Sequence, residues 1–150
     1  MPKLFVEKTI EINAPVTKVW DALTQVKNTS QWAEEFSGGG PKFHIESEWK
    51  PGSPVLWKSE DGSTTAEGNV TAVEPLKLLR YTVFDVRSEK PKVTEEDGIT
   101  YELNEQNGKT TLKILQGDFS SMADGEKYHR LTAENWDRVL PKVKAIAEKL

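Results

Sequence analysis

The sequence predicts an α+β domain in which a curved antiparallel sheet of about seven strands wraps around one long C-terminal helix, with two short helices after the first strand. Three observations carry that prediction. Strand-like and helix-like stretches are kept apart along the chain rather than alternating, which separates α+β from a parallel α/β fold. The stretch ITYELNEQNGKTTLKILQGDF alternates apolar residues on both sides of Asn107-Gly108, a dipeptide that favours the tight turn of a hairpin. From Ser121 to the end, apolar residues recur every three or four positions, the mark of a one-sided helix on the order of 40 Å long.

The elements follow in order. In LFVEKTIEI, residues Leu4, Val6, Ile10 and Ile12 share one side of a period-two pattern, with Lys8 as the polar member of that face. Pro15 suits the first turn of a helix, and Val16, Val19, Trp20 and Leu23 supply its apolar stripe. Asn28, with Gln31 three residues later, has the form of a capping box opening a second short helix on which Trp32 and Phe36 share a face. The glycine run from Ser37 to Pro41 follows a helix and precedes a strand, the reverse of a phosphate loop, and is expected to be a plain connection.

Strands then follow. Phe43, Ile45, Ser47 and Trp49 share a parity; Pro51 to Pro54 form a turn; Val55 and Trp57 continue on one face to a turn at Asp61-Gly62. Beyond the turn at Pro75, Leu79, Tyr81, Val83 and Asp85 share a face. In the hairpin, Ile99, Tyr101 and Leu103 oppose Leu112 and Ile114. The last helix opens at Ser121 and Asp124, a second capping-box pattern. Its expected inward stripe is Tyr128, Thr132, Trp136, Val139, Leu140, Val143, Ile146, Ala147 and Leu150.

All of this fits one domain over residues 1–150, long enough to bury roughly 70% of the surface of the unfolded chain. The absence of cysteine excludes disulfides and thiolate metal sites, and neither an apolar leader nor a run long enough to span a bilayer appears, so a cytoplasmic location without membrane insertion is expected. A net charge of -4 with both signs mixed along the chain argues against nucleic acid as a partner.

A strongly twisted sheet curls, and the long helix is the only element able to cover its concave face. Because the distance between a curled sheet and a straight rod grows toward the open end, an aromatic-lined cavity is expected between them. The ordinary chemistry-bearing motifs are missing: there is no cysteine nucleophile, no Gly-x-Ser-x-Gly elbow, and only two histidines, His44 and His129, with no cluster of metal ligands around them. No catalytic residue, metal or cofactor is therefore assigned. The candidate ligand-binding residues are Trp57, Tyr101 and Trp136, together with polar groups whose parity points inward: Lys8, Asp85, Tyr128 and Thr132. The competing reading is that the aromatics are core and that Lys8 and Asp85 lie near strand ends and reach water.

INAPVTKVWDAL near the start, EGNVTAVEPLKLLRYT in the middle, GKTTLKI in the hairpin and ENWDRVLPKVKAIAEKL at the end resemble the START-like superfamily. Within it, the chain is most similar to bacterial proteins of the branch named for the activator of the heat-shock-protein 90 ATPase. The resemblance spans essentially the whole chain and implies a helix-grip fold with an internal hydrophobic cavity. It implies no single activity, since the fold hosts lipid carriers, cyclases, hydrolases and co-chaperone domains. The leading expectation is a module that binds a small hydrophobic molecule. The alternatives are a co-chaperone-like domain that contacts a chaperone, or a cyclase- or hydrolase-type enzyme using a polar cavity residue.

Overall fold

The structure is a computed structural model that describes residues 4–33, 43–59, 61–82, 84–85, 98–117, 119–120 and 125–150. Its strands are β1 (Val6–Ile12), β2 (Phe43–Glu46), β3 (Pro54–Ser59), β4 (Thr64–Glu74), β5 (Leu78–Tyr81), β6 (Phe84–Asp85), β7 (Gly98–Gln106) and β8 (Lys109–Gly117). The helices are α1 (Val16–Thr24), α2 (Val26–Trp32) and α3 (Gly125–Lys149). Every pairing is antiparallel, and the strands run β1-β8-β7-β5-β4-β3-β2 across one sheet, with β6 added beside β4. This is the segregated α+β arrangement the sequence predicts, with the long helix laid on a curled sheet.

The regular side of the sheet is the hairpin and its neighbour. Asn107 and Gly108 take φ of 55° and 78°, the left-handed pair that a two-residue turn matched to strand twist requires. From there β7 and β8 pair without a break out to Gly98 opposite Gly117, and β1 pairs with β8 from Ile12 opposite Thr110 to Val6 opposite Gln116. Ile12, Ile99, Leu112 and Ile114 are fully buried on the face that meets α3.

Four expectations meet a different local structure. First, α2 begins at Val26 with Gln25 as its extended N-cap, so Asn28 lies inside the helix. Its side chain donates to the carbonyl of Asp21 (3.0 Å) instead of capping, and Gln31 donates to Lys27 O. Second, β2 ends at Glu46, and Trp49 lies beyond it with φ of 55°. Third, the strand expected through Asp85 is split. β5 stops at Tyr81, because the chain at Gly68 passes so close to Thr82 that a Cβ there would sit 1.8 Å from the Thr82 carbonyl oxygen. Val83 lies outside the described residues.

The fourth concerns α3. Trp136, Val139, Leu140, Val143 and Ala147 are buried as expected and Ile146 packs partly against them, but Tyr128 is 44% exposed and Leu150 is 39% exposed. Eight residues at 3.6 per turn place Tyr128 about 80° around the helix from Trp136, off the stripe. His129, one position on, faces inward: its Nε2 lies 2.8 Å from Phe5 O and its ring meets Phe119 edge-on. Pro141 is exposed, on the outer side of an unbroken helix. The carbonyl it leaves without an amide, that of Asp137, therefore faces water, and a helix gently convex toward solvent tolerates that loss. The Ser121–Asp124 capping pattern, Phe36 and the glycine run lie outside the described residues.

Helix side chains also reach the two outer strands of the sheet. Besides His129 on Phe5 O, Lys144 Nζ donates to Glu11 O (3.3 Å), and Glu148 accepts from the Asn13 amide (2.9 Å) while pairing with Lys144. At the opposite border, Thr29 of α2 accepts from the Ile45 amide of β2 (3.0 Å). Glu105, at the hairpin's end, accepts from the Val16 amide (2.7 Å) and so caps α1, whose own N-cap is a proline with no side chain to offer.

Candidate functional site

On the inner face of the sheet, six aromatic rings follow one another in contact. Trp57 of β3 meets Trp32 of α2 edge-on with centroids 6.4 Å apart, and Trp32 meets Trp136 of α3 at 6.1 Å. Trp136 meets Tyr101 of β7 at 6.1 Å, Tyr101 meets Tyr81 of β5 at 5.8 Å, and Tyr81 meets Trp49 at 5.5 Å. Five different elements and one loop thus contribute one ring each. Edge-to-face pairs dominate, the geometry that the ring quadrupole favours. Trp32, Trp136, Tyr81 and Tyr101 are wholly buried, whereas Trp49 is only partly so.

The polar tips of Trp32, Trp49, Trp136 and the two tyrosines have definite destinations. Trp136 Nε1 donates to Gln116 Oε1 of β8 (2.7 Å), tying helix to sheet. Trp32 Nε1 donates to Ala22 O and Trp49 Nε1 to Thr24 O, each at 2.9 Å. Both acceptors belong to the last turn of α1, so two separate members of the arc are tied to the same helix. Trp49 reaches this position through a left-handed backbone that a non-glycine residue rarely adopts, and such outliers cluster at functional sites. The Tyr81 and Tyr101 hydroxyls lie 2.7 Å apart and bond each other. Burial pushes the pKa of both phenols up, that of Tyr101 further through the neighbouring Tyr81 oxygen, so both stay protonated in ordinary buffers.

Of the residues expected to line a site, Trp57, Tyr101 and Trp136 come together in this arc. Thr132 lies one turn before Trp136 and is half-buried. Tyr128 is corrected to the outer face of α3 and does not join them. Lys8 is partly exposed and forms an ion pair with Asp137 of α3 (2.9 Å), spanning from β1 to the helix rather than entering the arc. Asp85 is placed by its backbone opposite Ala66 of β4, and its side chain lies outside the described residues. The arc's other members, Trp32, Trp49 and Tyr81, were signalled in the sequence only as apolar members of their faces.

Among the described residues the buried polar side chains are Thr24, Asn28, Thr29, Ser59, Thr82 and Thr110, none of them charged, and no cluster of three metal-binding side chains occurs. No described helix is long and apolar enough to cross a membrane.

Comparison with known families decides the kinship. The model of the family described as activator of Hsp90 ATPase homolog 1-like protein matches residues 13–148. The chain belongs to this family. No curated protein matches it in sequence. Among solved structures, the family fold recurs in the protein ChR145 of Cytophaga hutchinsonii, at 25% identity and a TM-score of 0.71, covering 99% of this chain and 97% of that one. Protein MLL2253 of Mesorhizobium loti superposes with a TM-score of 0.72 at 21% identity, covering 95% of this chain and 97% of that one. The Aha1 dimer of Colwellia psychrerythraea gives 0.66 at 17% identity, covering 94% and 93%. The last two likenesses concern the fold.

Proposed function

We propose that this family member is a cytoplasmic single-domain module that binds a small, largely hydrophobic molecule between the sheet and α3, within the aromatic arc. The observation that carries the reading is the path of the arc. Rings from β3, α2, α3, β7 and β5 run continuously to Trp49, which is tied back to α1 and is the one member with partial access to solvent. Apolar walls with a few fixed polar groups and a single exposed end are the ordinary composition of a small-molecule site. Trp49 would stand at the mouth, Trp57, Trp32 and Trp136 along the walls, and the tyrosine pair at the inner end. Thr132 lies beside Trp136 on the same helix.

Native mass spectrometry of protein purified without organic solvent tests this directly. A retained small molecule, released on denaturation and lost in Trp49→Ala, supports the reading. Uniformly ligand-free protein that also fails to bind a panel of small aromatic and aliphatic probes refutes it.

A second reading has one observation of its own. Tyr128 and Leu131 are exposed side by side, three residues apart on the outer face of α3, and the family description names an ATPase activator. A chaperone of the Hsp90 class would dock there. Stimulation of such an ATPase, abolished by Tyr128→Ala with Leu131→Ala and insensitive to Trp49→Ala, would favour this reading over a ligand carrier.

A further inference from the structure

The tyrosine pair does more than fill space. Two phenols hold two hydroxyl protons, and the single bond between Tyr81 and Tyr101 uses one of them. The other proton finds no acceptor among the described residues, although both side chains are completely buried. A buried donor in that condition is costly, and an acceptor arriving from outside relieves the cost. The two rings that flank the pair, Trp49 and Trp136, are apolar on their faces, and their own N–H groups are already committed to Thr24 O and Gln116 Oε1. These two rings therefore offer no free donor that would draw an incoming acceptor away from the tyrosine pair.

We propose that the Tyr81–Tyr101 pair is the polar anchor of the site and donates one hydrogen bond to a neutral oxygen acceptor, a ketone or ester carbonyl, on an otherwise apolar ligand. This inference rests on the proposed binding role and adds the chemical class that the site selects. Neutrality follows from the surroundings: the buried polar side chains among the described residues carry no charge, so an ionised ligand would lose its hydration without a counter-ion. The cooperative chain, one tyrosine donating to the other and that one to the ligand, makes the terminal hydroxyl a stronger donor than an isolated phenol.

The test uses a matched pair of probes, 1-tetralone and tetralin, which share a two-ring frame and differ by one carbonyl oxygen. Affinities of both are measured by NMR titration for the full chain and for the double variant Tyr81→Phe/Tyr101→Phe. The expected result is that the ratio of tetralone to tetralin affinity falls about 5- to 10-fold in the double variant, while tetralin binding is kept or improved. Infrared spectra provide a second readout that needs no variant: the carbonyl stretch of tetralone bound to the unmodified protein should be red-shifted from its value in a hydrocarbon solvent. An unchanged ratio together with an unshifted stretch overturns the anchor while leaving the binding role intact. Failure of both probes to bind overturns the binding role, and the anchor with it.

Discussion

The two sides of the sheet are built on different principles. On the side formed by β1, β8 and β7, register runs unbroken and the inward residues are mostly branched aliphatics such as Ile12, Ile99, Leu112 and Ile114. On the other side, register shifts between Trp57 and Lys58 in the β3–β4 pair and between Val70 and Ala72 in the β4–β5 pair, and the buried aliphatics Ile45, Val55, Val70 and Leu79 share the interior with the large aromatics Trp57 and Tyr81. Branched side chains of similar size stack on a regular pleat, whereas indoles and phenols with polar tips must be aimed. Bulges supply that aim at the cost of ladder bonds. Trp136 stands between the two, bonded to β8 through Gln116 and in ring contact with Trp32 and Tyr101.

Because it joins both regions, Trp136→Ala should have the largest effect, about 3–5 kcal/mol in urea unfolding. If it costs under ~1 kcal/mol, the two regions are not mechanically coupled through this ring. Within the regular region, Ile114→Ala should cost about 2–5 kcal/mol and leave binding of 1-tetralone unchanged per folded molecule. A selective loss of binding there would erase the distinction between the regions.

The aromatic region should instead show strong non-additivity. Tyr81→Phe or Tyr101→Phe alone breaks the hydroxyl pair and leaves one buried phenol without its partner, about 1–3 kcal/mol. The double variant should cost no more than the worse single one. Additive losses in a double-mutant cycle would mean that the hydroxyls have other partners.

The same burial has a pH signature. Raised folded-state pKa values mean that the stabilising effect is complete below the unfolded value, near ~10, and is lost as pH climbs through the folded values. Up to about pH 11, tyrosinate absorbance at 295 nm should therefore correspond to at most one of the three tyrosines, with the rest appearing only on alkaline unfolding.

At the small end, Lys8→Met removes an ion pair with partly solvated partners and should change stability by about 0–1 kcal/mol. It should leave probe binding untouched; a large loss of binding would return Lys8 to the site.

The regular region was readable from the letters because its rules are local. Asn107-Gly108 dictates the turn, and the turn fixes the register of every residue back to Gly98. The irregular region was less readable because its determinants lie far apart in sequence. Unbroken parity from Leu79 onward hides the break at Thr82, which is imposed by close approach of Gly68. Asn28 matches a capping pattern but is drawn to the carbonyl of Asp21 seven residues back. Tyr128 looks inward when residues are counted in fours, but the true period of 3.6 carries it outward by the second turn. In the aromatic arc, sequence periodicity placed Trp57, Tyr101 and Trp136 inward, where they are buried. The pairing of Tyr101 with Tyr81, twenty positions away, depends on which strands become neighbours.

The side chains that reach the sheet's borders have a consequence for how molecules of this protein meet. An open β edge invites another chain to extend the ladder, a route to domain exchange and fibrous aggregates. Along β1 the groups at Phe5, Glu11 and Asn13 are already engaged by His129, Lys144 and Glu148, and on β2 the Ile45 amide is engaged by Thr29. A visiting strand would have to displace these side chains at the positions they hold, which makes both borders poorer templates for extending the ladder.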